Sequence, residues 1–299
     1  MVDSLQKIEE EVIDELDLNK ARMTLVDKDR SNVLLDSMTS PVRAAGGSAA
    51  NTAYWAAQLG GNVGFIGKIS DDDLGIKYEE GLKKENVQFF YSKKKESIPT
   101  GTCLILITPD SERTMCTFLG TAGKINENDI NTNAIKNSEI LFLEGYLWDE
   151  GEPKKAFDKA MQNSNKVAMS LSDLFCVERH KSHFLDLVKN KLDITFSNEQ
   201  EIMSLIGTKS FDEVIKFSKQ LGKLIIITRG EKGAAAIQNN EVIECKIQKN
   251  LKIVDLTGAG DLFAAGFLHG RVNNLSTKES LEKGTEMSAK IIQQIGARL

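Results

Sequence analysis

Between residues 140 and 228, short apolar runs alternate with stretches of helical period, and no other feature of the chain restricts its fold as tightly. Ile140-Leu141-Phe142-Leu143, Val167-Ala168-Met169 and Ile194-Thr195-Phe196 read as buried strands, with helical stretches at 153–164, 177–188 and 198–206. Leu224-Ile225-Ile226-Ile227 adds a further buried strand. Strands joined through helices run parallel, because a helical crossover returns the chain to the same edge, and such a sheet buries both faces under helices. The expectation is an α/β fold, a three-layer α/β/α sandwich around a mostly parallel sheet.

The chemistry is expected at 253–271, where an apolar run turns into a glycine-rich helix start. Lys252-Ile253-Val254 has strand character, while Leu262, Phe263, Gly266 and Phe267 recur at helical spacing, so Gly258-Ala259-Gly260 occupies the turn and first helical turn. The first N–H groups of a helix lack intrahelical acceptors, and small side chains let an anion approach them along the helix dipole. Asp261 then places a carboxylate beside that anion, which suits a group taking a proton from an attacking hydroxyl. The competing reading is close helix–strand packing, with Asp261 as a dipole partner in the first turn.

A chain of 299 residues, 41% hydrophobic, has enough apolar material for one large α/β domain. Its net charge of -5 argues against nucleic acid and membrane surfaces as partners. Small molecules remain. The run Lys93-Lys94-Lys95 fits a solvated loop. Cys103, Cys116, Cys176 and Cys245 are too scattered for a zinc set, so reduced, buried thiols in a cytoplasmic protein are expected. No apolar run approaches the roughly 20 residues of a membrane span.

In the amino-terminal part, Leu5, Ile8, Val12 and Leu16 recur at helical spacing, so the chain is expected to open on a helix. A doubly wound fold ordinarily leads with a strand, which suggests that the sequence starts inside the natural one. Ala45-Gly46-Gly47-Ser48-Ala49-Ala50-Asn51-Thr52-Ala53 runs into a helix with Ser48 as its cap and room for a ligand beside Asn51. Val63 to Ile66 reads as a buried strand, and Thr108-Pro109-Asp110-Ser111 turns a hairpin between β-rich runs from Thr100 to Leu119. Asn198 and Glu201 share a helix face, suited either to a hydrated Mg²⁺ or to a capping box. Thr228-Arg229-Gly230-Glu231-Lys232-Gly233 either admits a nucleotide or turns a hairpin. His180 and His183 read as surface histidines, and the apolar residues of the last helix, to Ile295, as core.

Taken together and in this order, Gly46-Gly47-Ser48-Ala49-Ala50-Asn51, Asn198-x-x-Glu201, Thr228-x-Gly230-x-x-Gly233 and Asp255-x-x-Gly258-Ala259-Gly260-Asp261 resemble the ribokinase-like (PfkB) family of carbohydrate and nucleoside kinases. Gly46-Gly47-Ser48, Glu112-Arg113-Thr114 and Leu171-Ser172-Asp173-Leu174-Phe175 are most similar to its adenosine-kinase branch. The resemblance implies a ribokinase-like three-layer sandwich, a single domain over 1–299, with a small β lid built from segments at about 21–44 and 98–120. It implies that Asp261 is the base, that the amides of Gly258, Ala259 and Gly260 hold the transferring phosphate, and that Arg113 approaches it from the lid. Asp3, Gly46, Gly47, Ser48 and Asn51 would hold a sugar, and Phe175 would stack on a nucleobase. Asn198, Thr228, Gly230 and Gly233 would line the ATP site. Glu201 would meet Mg²⁺ through water, and Asp255 a monovalent cation such as K⁺, although Leu256 departs from the usual threonine. Asp3 matches a residue that ends the family's first strand, and that strand is expected to be missing here. The implied activity is ATP-dependent phosphoryl transfer to the primary hydroxyl of a nucleoside by a monomer or homodimer. A sugar kinase and a nucleoside- or nucleotide-binding protein without turnover are the alternatives.

Overall fold

A computed structural model describes residues 1–91, 94–148 and 151–298, so Lys93 of the lysine run lies outside the described residues. The chain forms two compact units, Met1–Ile125 with Leu251–Asp261 and Lys290–Leu299, and Asn126–Asn250 with Leu262–Ala289.

The first unit contains, in chain order, β1 (Val2–Lys7), α1 (Glu11–Glu15), β2 (Met23–Leu25), α2 (Lys28–Ser37), β3 (Val42–Ala45), α3 (Ser48–Gln58), β4 (Val63–Phe65), α4 (Asp73–Lys84), β5 (Val87–Phe89), β6 (Thr100–Ile107) and β7 (Arg113–Gly120). Its main sheet has the order β2-β7-β6-β1-β3, and β4 and β5 pair separately. The hairpin around Thr108-Pro109-Asp110-Ser111 is present, with β6 and β7 antiparallel. Both segments read as a lid contribute strands to this one sheet.

The expected opening helix is replaced by β1. This strand pairs parallel to β6 on one edge and antiparallel to β3 on the other, and its first four residues are all buried. Ladder bonds on both edges and burial on both faces outweigh the helical spacing of Leu5 and Ile8. Only the five residues of α1 are helical here, and its buried side chain is Ile13 rather than Val12. Asp3, expected on an end without a strand, thus sits inside a paired strand. The strand at 63–66 is half-buried rather than buried.

The second unit contains α5 (Thr132–Lys136), β8 (Leu141–Glu144), α6 (Glu152–Gln162), β9 (Val167–Ser170), α7 (Leu174–Asp186), β10 (Ile194–Asn198), α8 (Glu199–Ile206), α9 (Phe211–Leu221), β11 (Leu224–Thr228), β12 (Ala234–Gln238) and β13 (Glu241–Cys245). Helix α10 (Ala259–Val272) crosses the division after Asp261, and α11 (Thr277–Ile291) crosses it after Ala289. The sheet order is β13-β12-β11-β10-β9-β8, parallel from β8 to β11 and antiparallel beyond. Alternation along the strands divides its apolar residues between two cores. Ile225, Ile227 and Ile237 join Leu171, Phe184 and Ile202, whereas Leu224, Ile226 and Ala236 join Phe263, Phe267 and Leu281. Helices therefore cover both faces, and the sandwich expected from the β–α alternation is present in this unit.

Other expectations need correction. Residues 252–254 form no strand: the Val254 N–H donates to the Ile292 carbonyl at 2.8 Å, and Ile253 is half exposed. Ile295 lies beyond α11 and is exposed. His180 is buried, its ring 5.0 Å from that of Trp148. Cys103, Cys116 and Cys176 are buried free thiols, but Cys245 is partly exposed because it ends β13, an edge strand. Among the described residues no helix is long and apolar enough to cross a membrane.

Candidate active site

In the first unit, Asp261 is the third residue of α10, with Gly258 at φ 80° in the turn before it. Only a residue without Cβ adopts that backbone at little cost, and the turn aims the helix start at whatever lies beyond. The Ala259 N–H donates back to the Leu256 carbonyl at 3.2 Å, tightening the turn. A Cβ built at Gly260 meets no atom within 4 Å, so that glycine does not serve close packing. This weighs against the packing reading and keeps open space at the helix start.

The Asp261 carboxylate is held at both oxygens from α3. Ser48 Oγ donates to Oδ1 at 2.6 Å and Asn51 Nδ2 to Oδ2 at 2.8 Å, while Thr52 Oγ1 lies 3.3 Å from the Asp261 carbonyl oxygen. Burial pushes the Asp261 carboxyl above its ordinary range, while those two hydrogen bonds and the charges of Arg113 and Arg298 pull it back. Ser48 is not the cap of α3. Gly47, at φ 91°, occupies that position with no side chain to offer, which releases the Ser48 hydroxyl to the carboxylate.

Asp3 on β1 is buried beside this group, and its carboxyl is pushed up to about 7, mainly by burial and against the positive charges of the terminal amine and Arg298. Asp3 lies opposite Ala44 in the β1–β3 ladder, next to the glycines that follow β3. A Cβ at Gly46 would fall 1.9 Å from Asp3 Cγ, so Gly46 is the space the carboxyl group occupies. Arg113 opens β7, opposite Ile107. Asp255 is fully buried. Its Oδ1 accepts from the Thr257 N–H at 2.9 Å and from Thr257 Oγ1 at 2.7 Å, and its Oδ2 from the Gly296 N–H at 2.8 Å. Three protein donors already surround this carboxylate, so it is a poor fit for a K⁺ ligand, and its observed work is to tie the Gly258 turn to the segment after α11.

In the second unit, Asn198 caps α8, and the capping box is complete. Asn198 Nδ2 and N–H donate to the two oxygens of Glu201 at 2.6 and 2.9 Å, and the Glu201 N–H donates to Asn198 Oδ1 at 2.8 Å. Among the described residues no three His, Cys, Asp or Glu side chains gather as a metal set. Thr228 ends β11, and Gly230 to Gly233 turn the chain into β12. Gly233, at φ 89°, is explained by packing, since it ends this turn where a Cβ would meet the Cys245 carbonyl oxygen of β13 at 2.0 Å, whereas around Gly230 there is open space. Phe175 lies in the first turn of α7, its N–H donating to Asp173 and the Arg179 guanidinium 5.9 Å from its ring centroid.

Sequence reading missed Thr52, Thr257, Glu85 and Arg298. The one local signal at Arg298 is a cation two residues after Gly296, and nothing local ties it to Asn51.

A family model described as pfkB family carbohydrate kinase matches residues 13–299. Among solved structures, adenosine kinase from Sinorhizobium meliloti is similar with 34% identity and a TM-score of 0.96, over 100% of this chain and 93% of that one. A probable sugar kinase from Rhizobium etli CFN 42 is also 34% identical, with a TM-score of 0.94 over 99% of this chain and 92% of that one. A ribokinase from Dictyostelium discoideum is 26% identical over 275 residues, 85% of each chain.

Proposed function

The chain belongs to the pfkB family of carbohydrate kinases, and we propose that within it this protein transfers the γ-phosphoryl group of ATP to the primary hydroxyl of a nucleoside, adenosine or a close relative. The observation that carries this reading is the Asp261 carboxylate at the start of α10, its oxygens directed by Ser48 and Asn51, beside a glycine turn with open space. Asp261 accepts the hydroxyl proton of the acceptor as its oxygen attacks phosphorus. The helix start at Gly258 and Gly260, with Ala259 between them, receives the charge that develops on the transferring group, and Arg113 adds to it. Phosphoryl transfer depends chiefly on such positioning and neutralisation, with the base a smaller factor. Ser48 and Asn51 act on the acceptor through Asp261, and Asp3, seated against Gly46 and Gly47, takes acceptor hydroxyls. Phe175 offers a ring to the base, and Thr228 and Gly230 a small-residue edge to the nucleotide.

ATP would bring Mg²⁺, which neutralises phosphate charge. Glu201, both oxygens engaged by Asn198, suits contact with the ion's water shell rather than direct ligation. No step depends on K⁺ at Asp255. The 21–44 and 98–120 segments would serve as a lid over the acceptor within a single kinase domain, and the protein would work in the cytoplasm, where ATP is available. A sugar kinase is the second reading, favoured by the Rhizobium etli protein, as similar to this chain as the adenosine kinase is.

The test is Asp261→Asn, assayed with ATP, Mg²⁺ and a panel of nucleosides and sugars. The expected result is an intact affinity for ATP with kcat lowered roughly 10²–10⁴-fold, since only proton acceptance is lost. Near-wild-type turnover would remove Asp261 as the base.

A further inference from the structure

The chain's last described residue reaches the site through a relay of hydrogen bonds within the first unit. Arg298 Nε donates to Asn51 Oδ1 at 3.0 Å, and Asn51 Nδ2 donates to Asp261 Oδ2 at 2.8 Å. Arg298 is itself fixed on three sides. Its Nη1 donates to Glu85 Oε2 at 2.9 Å, its guanidinium carbon lies 5.3 Å from the Tyr54 ring centroid, and the preceding carbonyl, of Ala297, accepts from Trp55 Nε1 at 2.8 Å. The side chain is only 6% exposed.

An asparagine amide has a donor end and an acceptor end, and its neighbours decide which way round it stands. A guanidinium can only donate. With Nε–H pointing at Asn51, the amide must turn Oδ1 toward Arg298, and its NH₂ group then faces Asp261. An NH₂ facing a carboxylate favours the ionised, proton-accepting form. An amide turned the other way would present an oxygen to Asp261 and favour the protonated acid, which cannot act as a base. The relay also has a matched charge sequence, with Glu85 and Asp261 negative at the ends and Arg298 positive between them.

We propose that Arg298 is a positioning residue for the phosphoryl-transfer reaction, orienting the Asn51 amide so that it presents a donor to Asp261. The inference rests on the reading of Asp261 as the base. Glu85 anchors the guanidinium, and Asn51 transmits the orientation to Asp261. Asparagine is neutral and could stand in either orientation, so a buried arginine behind it removes the ambiguity at the cost of desolvating a charge that Glu85 compensates only in part, Nη2 being buried without a hydrogen-bond partner among the described residues.

The experiment is a double-mutant cycle on kcat in the full chain, using Arg298→Met and Asn51→Ala, with Arg298→Lys as the conservative variant and Asp261→Asn as the reference. Arg298→Met keeps the apolar stem and loses every donor. The expected result is a kcat lowered roughly tenfold or more with KM for ATP unchanged, because an interaction that serves only the reacting state is removed. Arg298→Lys, which keeps a donor but not the fork that reaches Asn51 and Glu85 together, should fall between wild type and Arg298→Met. In the Asn51→Ala background, Arg298→Met should cost little more, since the group it orients is already gone. A wild-type kcat in Arg298→Met, a loss confined to KM, or the full cost persisting in the Asn51→Ala background would each overturn the proposal. If Arg298→Met fails to fold, Arg298→Gln, which loses the charge, and its double variant with Asn51→Ala carry the same comparison, and a wild-type kcat in Arg298→Gln overturns the proposal equally. An active Asp261→Asn would overturn the base assignment on which the proposal rests, whereas an inactive Asp261→Asn with a normal Arg298→Met defeats the role of Arg298 alone.

Discussion

Asp3 is a carboxylic acid only 7% exposed, and its pKa of about 7 ties its protonation to folding. In the unfolded chain it titrates near its ordinary value of 3.8, so between pH 4 and 7 the folded state binds more protons than the unfolded one. Stability then declines as pH rises through this window: the contribution is full below the unfolded pKa and is lost as pH passes the folded one. Asp3→Asn removes this titration, so the gap between its thermal midpoint and that of the wild type should widen in the variant's favour from pH 4 to 7, the titrations of the terminal amine and Asp261 being common to both. Above pH 7 the variant should be the more stable protein, by a few kcal/mol at most, while its affinity for the acceptor drops. Thermal melts across pH check this, and parallel curves for the two proteins would show that Asp3 does not titrate as described. Such a residue, kept where it costs stability at neutral pH, points to service in the site. In the sequence Asp3 drew notice only through the family resemblance, and its burial was not legible, because the strands that cover it come from residues about 40 and 100 positions away.

At the scale of elements, the start of α10 separates packing from binding through two glycines two residues apart. Gly258, at φ 80°, should accept alanine only with backbone strain, roughly 1–2 kcal/mol, lowering stability and activity together. Gly260 has no positive φ and open space where a Cβ would stand, and alanine is favoured over glycine in helices by up to about 1 kcal/mol. Gly260→Ala should therefore melt at the wild-type temperature or higher while losing most of its kcat/KM, because the added methyl occupies the path of the phosphate. Full activity in Gly260→Ala would mean that no anion uses that space. The turn itself was legible because its signal is local: glycines, then apolar residues at helical spacing. The capping box at Asn198 and Glu201 and the hairpin at Gly233 were legible for the same reason. Misreadings fell where distant partners decide. Leu5 and Ile8 have helical spacing, yet β6 and β3 draw Val2–Lys7 into a strand, and Val254 gives its N–H to Ile292 instead of to a neighbouring strand.

For the molecule as a whole, the β–α alternation made the four parallel strands β8 to β11 of the second unit readable, but neither the antiparallel β12 and β13 nor the division into two units was. The first unit is completed by residues 251–261 and 290–299, which carry no local mark of the strands they join, and Arg298 reaches Asn51 across a sequence separation of 247. The choice between nucleoside and sugar can be read from global stability, because a ligand that binds only the folded chain adds RT ln(1 + [L]/Kd), about 2.7 kcal/mol at a hundred times Kd. For a chain of this length that corresponds to a rise of roughly 5 °C in the midpoint. Adenosine should produce such a rise at concentrations where ribose and fructose produce none. If the base stacks on Phe175, its loss should weaken binding by roughly 1–3 kcal/mol, or about five- to 150-fold. At an unchanged adenosine concentration a tenfold weaker Kd leaves RT ln 11, about 1.4 kcal/mol, so Phe175→Ala should retain roughly half the wild-type shift. The stabilisation by ATP should be the same in both proteins, which separates a lost base contact from a damaged fold. A larger shift with ribose or fructose than with adenosine in the wild-type protein would transfer the assignment to a sugar kinase.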